Sequence, residues 1–456
     1  MKRKMKRLMA LLLASVFAVT ALTGCRFGFA SDPDDPNAVT QQTPIDTSVD
    51  TFSYDSELAG TKIVLLNTKA EIQVALEEMS EVFEERSGVH IEVMPVTDGE
   101  SPYTKVVSLY NSGNPPTLSI LDTTDVIALA KEKAEELSGE AWTAESEEYL
   151  TKVDGAVYSF PLCIEGRGLI YNKAVIENAL KEEFDPSAIK TQDDFVALLD
   201  RLVQAGIEKP ISMAKEDWSL GAHQLQYIYE VYDGTTEGTQ KVIEGIKSGE
   251  IQLDEYQRMD EFLNMFDILK KYNVARKDPL GADYDEMAID LADGRTAFWF
   301  NGNWAWPNLS EAGALDDDEY GFLPYFLNND ENDFANQMIQ GSPSKQIMMD
   351  GRMASDAQKA AAKEFLNWIV YSEVGQQMLV KKCNLIPPFK NNPYEPGDPL
   401  SRDIYKHVQT GRAFNASAIV PNDHWSVLGA AMQKYLADRS DRAEVRQAIT
   451  EYWKEQ

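Results

Sequence analysis

The sequence is short of basic residues, cysteines, histidines and long apolar runs, and each shortage excludes a class of protein. Its 456 residues include 43 Lys and Arg against 74 Asp and Glu, which gives a formal net charge of -31. A chain this acidic repels phosphate backbones and anionic membrane surfaces, so binding to nucleic acid is disfavoured. Three cysteines cannot build a disulfide scaffold. No apolar run reaches the ~20 residues that a membrane-spanning helix needs.

Catalytic and metal-binding motifs are also scarce. The sequence has no CxxC, HExxH, Walker A or GxSxG motif, and its four histidines are scattered. Residues 316–321 begin like a calcium loop, but Leu327 stands where the bidentate Glu would be required. We therefore expect no metal, no cofactor and no enzymatic activity. A hydrolase of oligosaccharides stays open as an alternative, because the two carboxylates of glycosidases follow no fixed spacing.

The N-terminus has the features of an export signal. Five basic residues lie within the first seven, and the 15-residue apolar run Leu8–Leu22 follows. This arrangement is typical of a secretory signal peptide. The run ends in Leu-Thr-Gly-Cys, which resembles the lipobox of bacterial lipoproteins and implies cleavage before Cys25 and lipidation of Cys25. We predict a signal peptide over residues 1–24 and a lipidated Cys25 with a disordered tether over residues 25–56, rich in Pro and Asp. The protein would be held at the extracellular face of the cell membrane.

The body of the chain alternates strand and helix patterns. Residues 63–66 form a short apolar run, and residues 89–93 alternate apolar and polar side chains, so both predict strands. Between them, one helical face is formed by Ile72, Leu76, Met79 and Phe83. Thr191 and Asp194 predict a capped helix, and Ser440 is expected to cap the last helix. Helices between strands indicate parallel βαβ units and an α/β fold.

Tryptophans that lie next to polar residues suggest a carbohydrate ligand. Trp304 follows Asn301-Gly302-Asn303, Trp218 follows Glu216-Asp217, and Trp425 follows Asp423-His424. The C–H faces of a sugar ring lie flat on an aromatic ring, while its hydroxyls need polar partners. A tryptophan taken singly is more often core, and we expect Trp299 to be core. Aromatic and acidic residues would also bind a polyamine or a peptide, and these ligands remain alternatives.

Six segments along the chain carry a family pattern: 155–161, 164–173, 294–306, 320–324, 362–369 and 375–379. In this order they resemble extracellular solute-binding proteins of sugar ABC transporters, in their Gram-positive lipoprotein form. The segments 155–161 and 164–173 resemble the first crossing between the lobes of that family, and 320–324 resembles the second.

The resemblance implies a two-lobed periplasmic-binding-protein-like α/β fold, with discontinuous lobes joined by hinge crossovers. Lobe 1 would comprise residues 57–164 and 327–374, and lobe 2 residues 165–326 and 375–456. The lobes would close on an oligosaccharide or other sugar, which shifts an existing open–closed equilibrium. The closed monomer would then be recognised by ABC permease subunits in the membrane.

The expected ligand-binding residues come partly from strand ends and partly from the resemblance. They are Asn67, Lys69, Asp122, Glu165, Trp218, His223, Trp304, Gln340 and Trp425. The first three follow strands at the carboxyl end, where open α/β sheets bind ligands. Glu165 and the three tryptophans match ligand contacts of the family, whereas His223 and Gln340 are chosen by position and polarity. The identity of the sugar and the pairing of Cys163 with Cys383 are left open.

Overall fold

The computed structural model describes residue 45 and residues 50–96, 100–315 and 319–456. The predicted signal peptide, Cys25 and most of the predicted tether lie outside these residues. None of the helices in this described part is long and apolar enough to cross a lipid bilayer. Cys163 and Cys383 are both buried and unpaired.

One mixed sheet organises the chain. The strands of the described residues are β1 Lys62–Asn67, β2 His90–Pro95, β3 Leu118–Asp122, β4 Lys152–Val153, β5 Ala156–Val157, β6 Ser159–Asn172, β7 Ile211–Ser212, β8 Phe298–Gly302, β9 Tyr320–Leu323, β10 Ile339–Met349 and β11 Ala413–Phe414. β4 and β5 form a separate two-stranded hairpin, and the other strands belong to the main sheet. The order in the main sheet is β2-β1-β3-β10-β6-β8-β7, with β11 on β10 and β9 on β6. β1 pairs in parallel with β2 and β3, as the βαβ pattern predicted.

Helices cover the sheet. They are α1 Gln73–Ser87, α2 Pro102–Asn111, α3 Thr123–Lys133, α4 Lys173–Leu180, α5 Gln192–Gln204, α6 Tyr227–Glu230, α7 Thr236–Ser248, α8 Gln257–Tyr272, α9 Tyr284–Ala292, α10 Trp306–Glu311, α11 Phe334–Gln337, α12 Asp356–Tyr371, α13 Glu373–Gln377, α14 Pro399–Gln409, α15 His424–Leu436 and α16 Arg442–Glu455. Two π-helical segments, Ser219–Gln224 and Met378–Lys382, accompany them.

Each end of the sheet carries its own pair of hydrophobic cores, one on either face. Ile63 and Leu65 of β1 pack into one core of the first lobe, and Leu66 packs into the other. At the opposite end, Phe298 of β8 packs into one core of the second lobe and Trp299 into the other. Alternate residues of a strand point to opposite faces of the sheet. The sheet is therefore buried on both of its faces in each lobe. This is the predicted two-lobed α/β fold.

Two long antiparallel strands, β6 and β10, run from one lobe to the other. On β10, Ile347 packs in a first-lobe core and Ile339 in a second-lobe core. The expected second crossing at residues 320–324 was wrong. β9 pairs only with the far part of β6, residues 169–172, because its apolar side chains pack entirely in the second lobe.

The segment around β10 changes lobes at other points than expected. Leu327 and Ala335 pack in a second-lobe core, whereas Met378 and Phe389 pack in a first-lobe core. Both ends of the expected returning segment, residues 327–374, therefore pack differently from the sequence-based assignment.

One of the two helix N-caps predicted from the sequence is correct. Thr191 and Asp194 form the predicted capping box, with the Asp194 N–H donating to Thr191 Oγ1 over 3.1 Å. The expected cap at Ser440 was wrong by one position. Asp441 caps α16 instead, since its carboxylate accepts from the Glu444 N–H while Glu444 accepts from the Asp441 N–H.

Candidate ligand-binding site

The loop after β1 is shaped by Asn67. Asn67 Oδ1 accepts from the Lys69 N–H over 2.9 Å, and Asn67 Nδ2 donates to the Lys69 carbonyl over 2.8 Å and to Gln73 Oε1 over 2.9 Å. The amide of Asn67 is thus used by its own loop. Its effect is to hold Lys69 in a buried position at the carboxyl end of the strand.

Lys69 and Glu165 form a buried ion pair. Lys69 Nζ lies 2.5 Å from Glu165 Oε1 and 2.7 Å from Glu71 Oε1, and the Ser344 hydroxyl donates to Glu165 Oε2. Burial opposes the charge of each partner, but the pairing outweighs it. The pKa of Glu165 is lowered by Lys69, and the pKa of Lys69 is raised by Glu165 and Glu71. Both groups are therefore charged at neutral pH.

A second charged pair lies at the end of β3. Lys345 Nζ lies 2.7 Å from Asp122 Oδ1, and the Asp122 side chain is about half exposed. Burial, together with the charge of Asp122, raises the pKa of the neighbouring Asp125 to about 7. The Asn422 amide donates to Asp125 Oδ1. Asn422 follows Val420, which packs in the second lobe, so this hydrogen bond joins the two lobes.

The second lobe contributes a group of half-buried rings. The His223 ring centre lies 4.6 Å from that of Trp304 and 5.2 Å from that of Trp218, and Tyr284 lies 5.6 Å from Trp218. Gly302 makes room for this packing, because a Cβ there would lie 2.1 Å from Trp304 Cζ3. We call Trp218, His223, Tyr284 and Trp304 the aromatic group.

One ring nitrogen of His223 is available for a ligand. It lies on the π-helical segment Ser219–Gln224, and π turns are frequent at functional sites. Burial and the Arg167 guanidinium lower the pKa of His223 to about 3, so the ring is neutral at physiological pH. His223 Nδ1 is buried and has no hydrogen-bond partner among the described residues. A neutral imidazole in this position offers a donor or an acceptor to a ligand hydroxyl.

The aromatic group and the charged pairs share one site. Arg167, two residues after Glu165 on β6, donates from Nε to the His223 carbonyl over 3.0 Å. The Gly166 N–H donates to the Oδ1 of Asn303, the residue before Trp304, over 3.0 Å. Burial raises the pKa of Tyr284, and the Glu71 carboxylate from the first lobe adds to that rise. The site therefore has a charged first-lobe side, an aromatic second-lobe side, and Glu165 from the crossing strand β6.

Two further expected residues make contacts within the protein. Gln340 Nε2 donates to Ser342 Oγ over 2.6 Å and to the Ala416 carbonyl over 3.0 Å, so its amide stabilises the crossing. Trp425 lies at the start of α15, where its carbonyl packs against Gly221. A Cβ on Gly221 would lie 2.3 Å from that oxygen. The Trp425 ring is half buried.

The structure adds residues that the sequence did not suggest. Ser344 and Lys345 would have been found if β10 had been identified as the second crossing, because both lie on it beside Glu165. Tyr284 follows the helix-capping residue Asp283 and carries no sequence signal for ligand binding. Among the described residues, no three His, Cys, Asp or Glu side chains are grouped as a metal ion would require.

Comparison with known proteins decides the family. Residues 78–400 match the model of the bacterial extracellular solute-binding protein family, which covers well over half of the chain. The chain belongs to this family. The predicted relationship to extracellular solute-binding proteins of ABC transporters is thereby confirmed, and the family is one of binding proteins.

Two relatives of this solute-binding protein come from different organisms. It is 25% identical over 385 residues to an uncharacterised ABC transporter extracellular-binding protein from Pyrococcus horikoshii, covering 80% of this chain and 79% of the other. It is also 25% identical over 259 residues to the multiple sugar-binding protein of Streptococcus mutans, covering 55% of this chain and 59% of the other.

A solved structure supports the fold. The solute-binding protein RafE in complex with raffinose is similar, with a TM-score of 0.70 and 18% identity, covering 87% of this chain and 99% of the other. At this identity the similarity concerns the two-lobed architecture alone.

Proposed function

We propose that this solute-binding protein captures an oligosaccharide or other sugar between its lobes, delivers it to an ABC importer and leaves it chemically unchanged. The similarity to a multiple sugar-binding protein and to a raffinose-bound structure supports this proposal. The family's binding character supports the absence of enzymatic activity.

The observation that carries the proposal is the aromatic group with its unpartnered His223 Nδ1, facing the buried Lys69–Glu165 pair. Rings of this kind bind the C–H faces of a sugar, and the polar atoms around them orient its hydroxyls. Each lysine near the site already has a carboxylate partner: Lys69 lies against Glu165 and Glu71, and Lys345 lies against Asp122. A neutral ligand suits such a site, because it brings no charge that would need a new partner.

We assign direct ligand contact to part of the expected set. These residues are Lys69, Asp122, Glu165, Trp218, His223 and Trp304, with Tyr284 as an addition. Trp425 would contact a longer ligand at the rim. Asn67 and Gln340 would act by positioning, because their amides are used by the protein.

We further propose how the protein is attached to the membrane and where the chain is divided between the two lobes. Lipidation of Cys25 would anchor it outside the cell, at a distance set by the tether, and monomers would dock on permease subunits. The packing of the cores supports a first lobe of residues 50–163 and 346–385 and a second lobe of residues 164–344 and 390–456. The last crossing lies at residues 386–389, because Ile386 packs in a second-lobe core and Phe389 in a first-lobe core.

The test uses residues 26–456, without the lipidated cysteine. This length keeps Ile45 and Asp50, which belong to the first lobe: Ile45 packs against its core, and Asp50 Oδ1 accepts from the Ser372 hydroxyl over 2.9 Å. Raffinose, stachyose, maltotriose and chitotriose are titrated by calorimetry, with spermine and trialanine as non-sugar probes. We expect one sugar to bind with a change in tryptophan fluorescence and no new reducing ends. Binding of spermine or trialanine alone, or sustained sugar hydrolysis, would contradict the proposal.

A further inference from the structure

A cavity of about 420 Å³ lies where the lobes meet. It is lined by Ile164 and Ile386, whose backbones form an isolated bridge with the Ile164 N–H donating to the Ile386 carbonyl over 2.9 Å. The volume falls within the ~300–1,000 Å³ typical of small-molecule pockets. Lys69, Glu165 and Trp304 do not line it, so it is separate from the candidate sugar site.

One part of the cavity wall is apolar and draws on both lobes. Phe389 belongs to a first-lobe core, whereas Tyr149, Tyr405 and Val408 pack against a second-lobe core. An apolar side chain of a ligand would be buried against these residues.

A buried polar atom of the lining lacks a partner. Asn392 is 7% exposed, and its Oδ1 accepts from the Tyr394 N–H over 3.0 Å. Its Nδ2 has no hydrogen-bond partner among the described residues. A buried donor without a partner is unfavourable, and an oxygen acceptor on a ligand would satisfy it.

The rim carries charges of both signs that are not compensated by the protein. Lys390, Glu147 and Glu148 line the cavity and make no ion pair with any described residue. The Lys390 N–H donates to the Glu145 carbonyl over 2.9 Å, so the two charged segments run side by side.

We propose that this cavity binds a small zwitterion with an apolar side chain, of the size of an amino acid or a dipeptide. Its ammonium group faces the glutamates at 147 and 148, and its carboxylate accepts from Asn392 Nδ2 and pairs with Lys390. Its side chain packs on Ile164, Ile386 and Val408. A simple cation would leave the Asn392 donor unpaired, and a simple anion would be repelled by the glutamates.

The experiment titrates residues 26–456 with L-leucine and leucyl-leucine by calorimetry, in the absence of sugar. Leucinamide lacks the carboxylate and N-acetylleucine lacks the ammonium group. We expect saturable binding of one zwitterion, with both blocked analogues at least tenfold weaker. No binding of either zwitterion, or equal binding of a blocked analogue, would overturn the proposal.

Two variants locate the site. Asn392→Asp keeps the acceptor for the Tyr394 N–H and removes the donor, and Lys390→Gln removes the exposed cation. Each should weaken binding at least tenfold. Lys390→Gln should leave the melting temperature unchanged, whereas Asn392→Asp places a carboxylate at a buried position and should lower the melting temperature while the protein stays folded. Lys454→Gln, on an exposed lysine of α16 that does not line the cavity, is the matched control and should bind as the parent does. Unchanged binding in both cavity variants would overturn the assignment. Because no sugar is present, failure here leaves the sugar-binding proposal untouched.

Discussion

The two sides of the candidate site differ in how their polar atoms are satisfied. On the charged side, the buried Glu165 pairs with the buried Lys69 and accepts from the half-buried Ser344. On the aromatic side, the rings of Trp218, His223 and Trp304 contact one another, while His223 Nδ1 has no partner among the described residues. The charged side is therefore pre-organised by the protein, and the aromatic side retains capacity for a ligand. A variant on the charged side should mainly lose stability, whereas removal of a ring on the aromatic side should mainly weaken sugar binding.

The largest expected effect is on stability, at the charged side. Lys69→Met leaves the buried Glu165 carboxylate without its cation, and removing one partner of a buried pair costs about 3–5 kcal/mol. The free energy of unfolding from urea denaturation should fall by this amount. The double variant Lys69→Met/Glu165→Gln should recover most of the loss, since Gln keeps an acceptor for Ser344. No recovery in the double variant would mean that the pair is not the cause.

The next effect is on affinity, at the aromatic side. Trp304→Ala removes a half-buried ring that we assign to the sugar, and truncation of a binding hot spot costs about 2 kcal/mol or more, roughly thirtyfold in Kd. Calorimetry with the bound sugar measures this, and the free energy of unfolding should change little.

Trp299→Ala is the matched comparison for that variant. Trp299 is fully buried on β8, the strand that ends just before Trp304, and its truncation should cost about 3–5 kcal/mol of stability. If Trp304→Ala behaves like Trp299→Ala, the Trp304 ring serves packing rather than binding.

The third effect is a pH dependence on the aromatic side. The folded pKa of His223 is about 3, below the unfolded value of about 6.5. The unfolded state therefore binds the proton more tightly, and stability that is complete above pH 6.5 is lost as the pH falls. This contribution amounts to about 2 kcal/mol between pH 7 and pH 5. His223→Gln should show a correspondingly smaller loss of unfolding free energy over that range. Parallel pH profiles for parent and variant would contradict the assignment.

The smallest effect is a pH dependence of stability that arises on the charged side and has the opposite sign. The folded pKa of Asp125 is about 7, above the unfolded value of about 4. Its contribution is complete below pH 4 and is lost as the pH rises through 7, about 1 kcal/mol of it between pH 6 and pH 7. Asp125→Asn should remove this decline in urea denaturation. A decline that persists unchanged in the variant would show that another group titrates.

The sequence by itself determined the α/β fold, the helix caps at Thr191 and Asp194, and the family, because these depend on residues that are close together along the chain. It also singled out Lys69, Glu165, Trp218, His223 and Trp304, which the structure brings into one site. Only the tertiary structure decided which strand makes the second crossing, since β9 packs in second-lobe cores alone whereas β10 packs in cores of both lobes. It also added Tyr284, Ser344 and Lys345, and showed that the amides of Asn67 and Gln340 are already used. These are contacts between residues far apart in sequence, and local patterns carry no information about which distant side chain will satisfy a given polar atom.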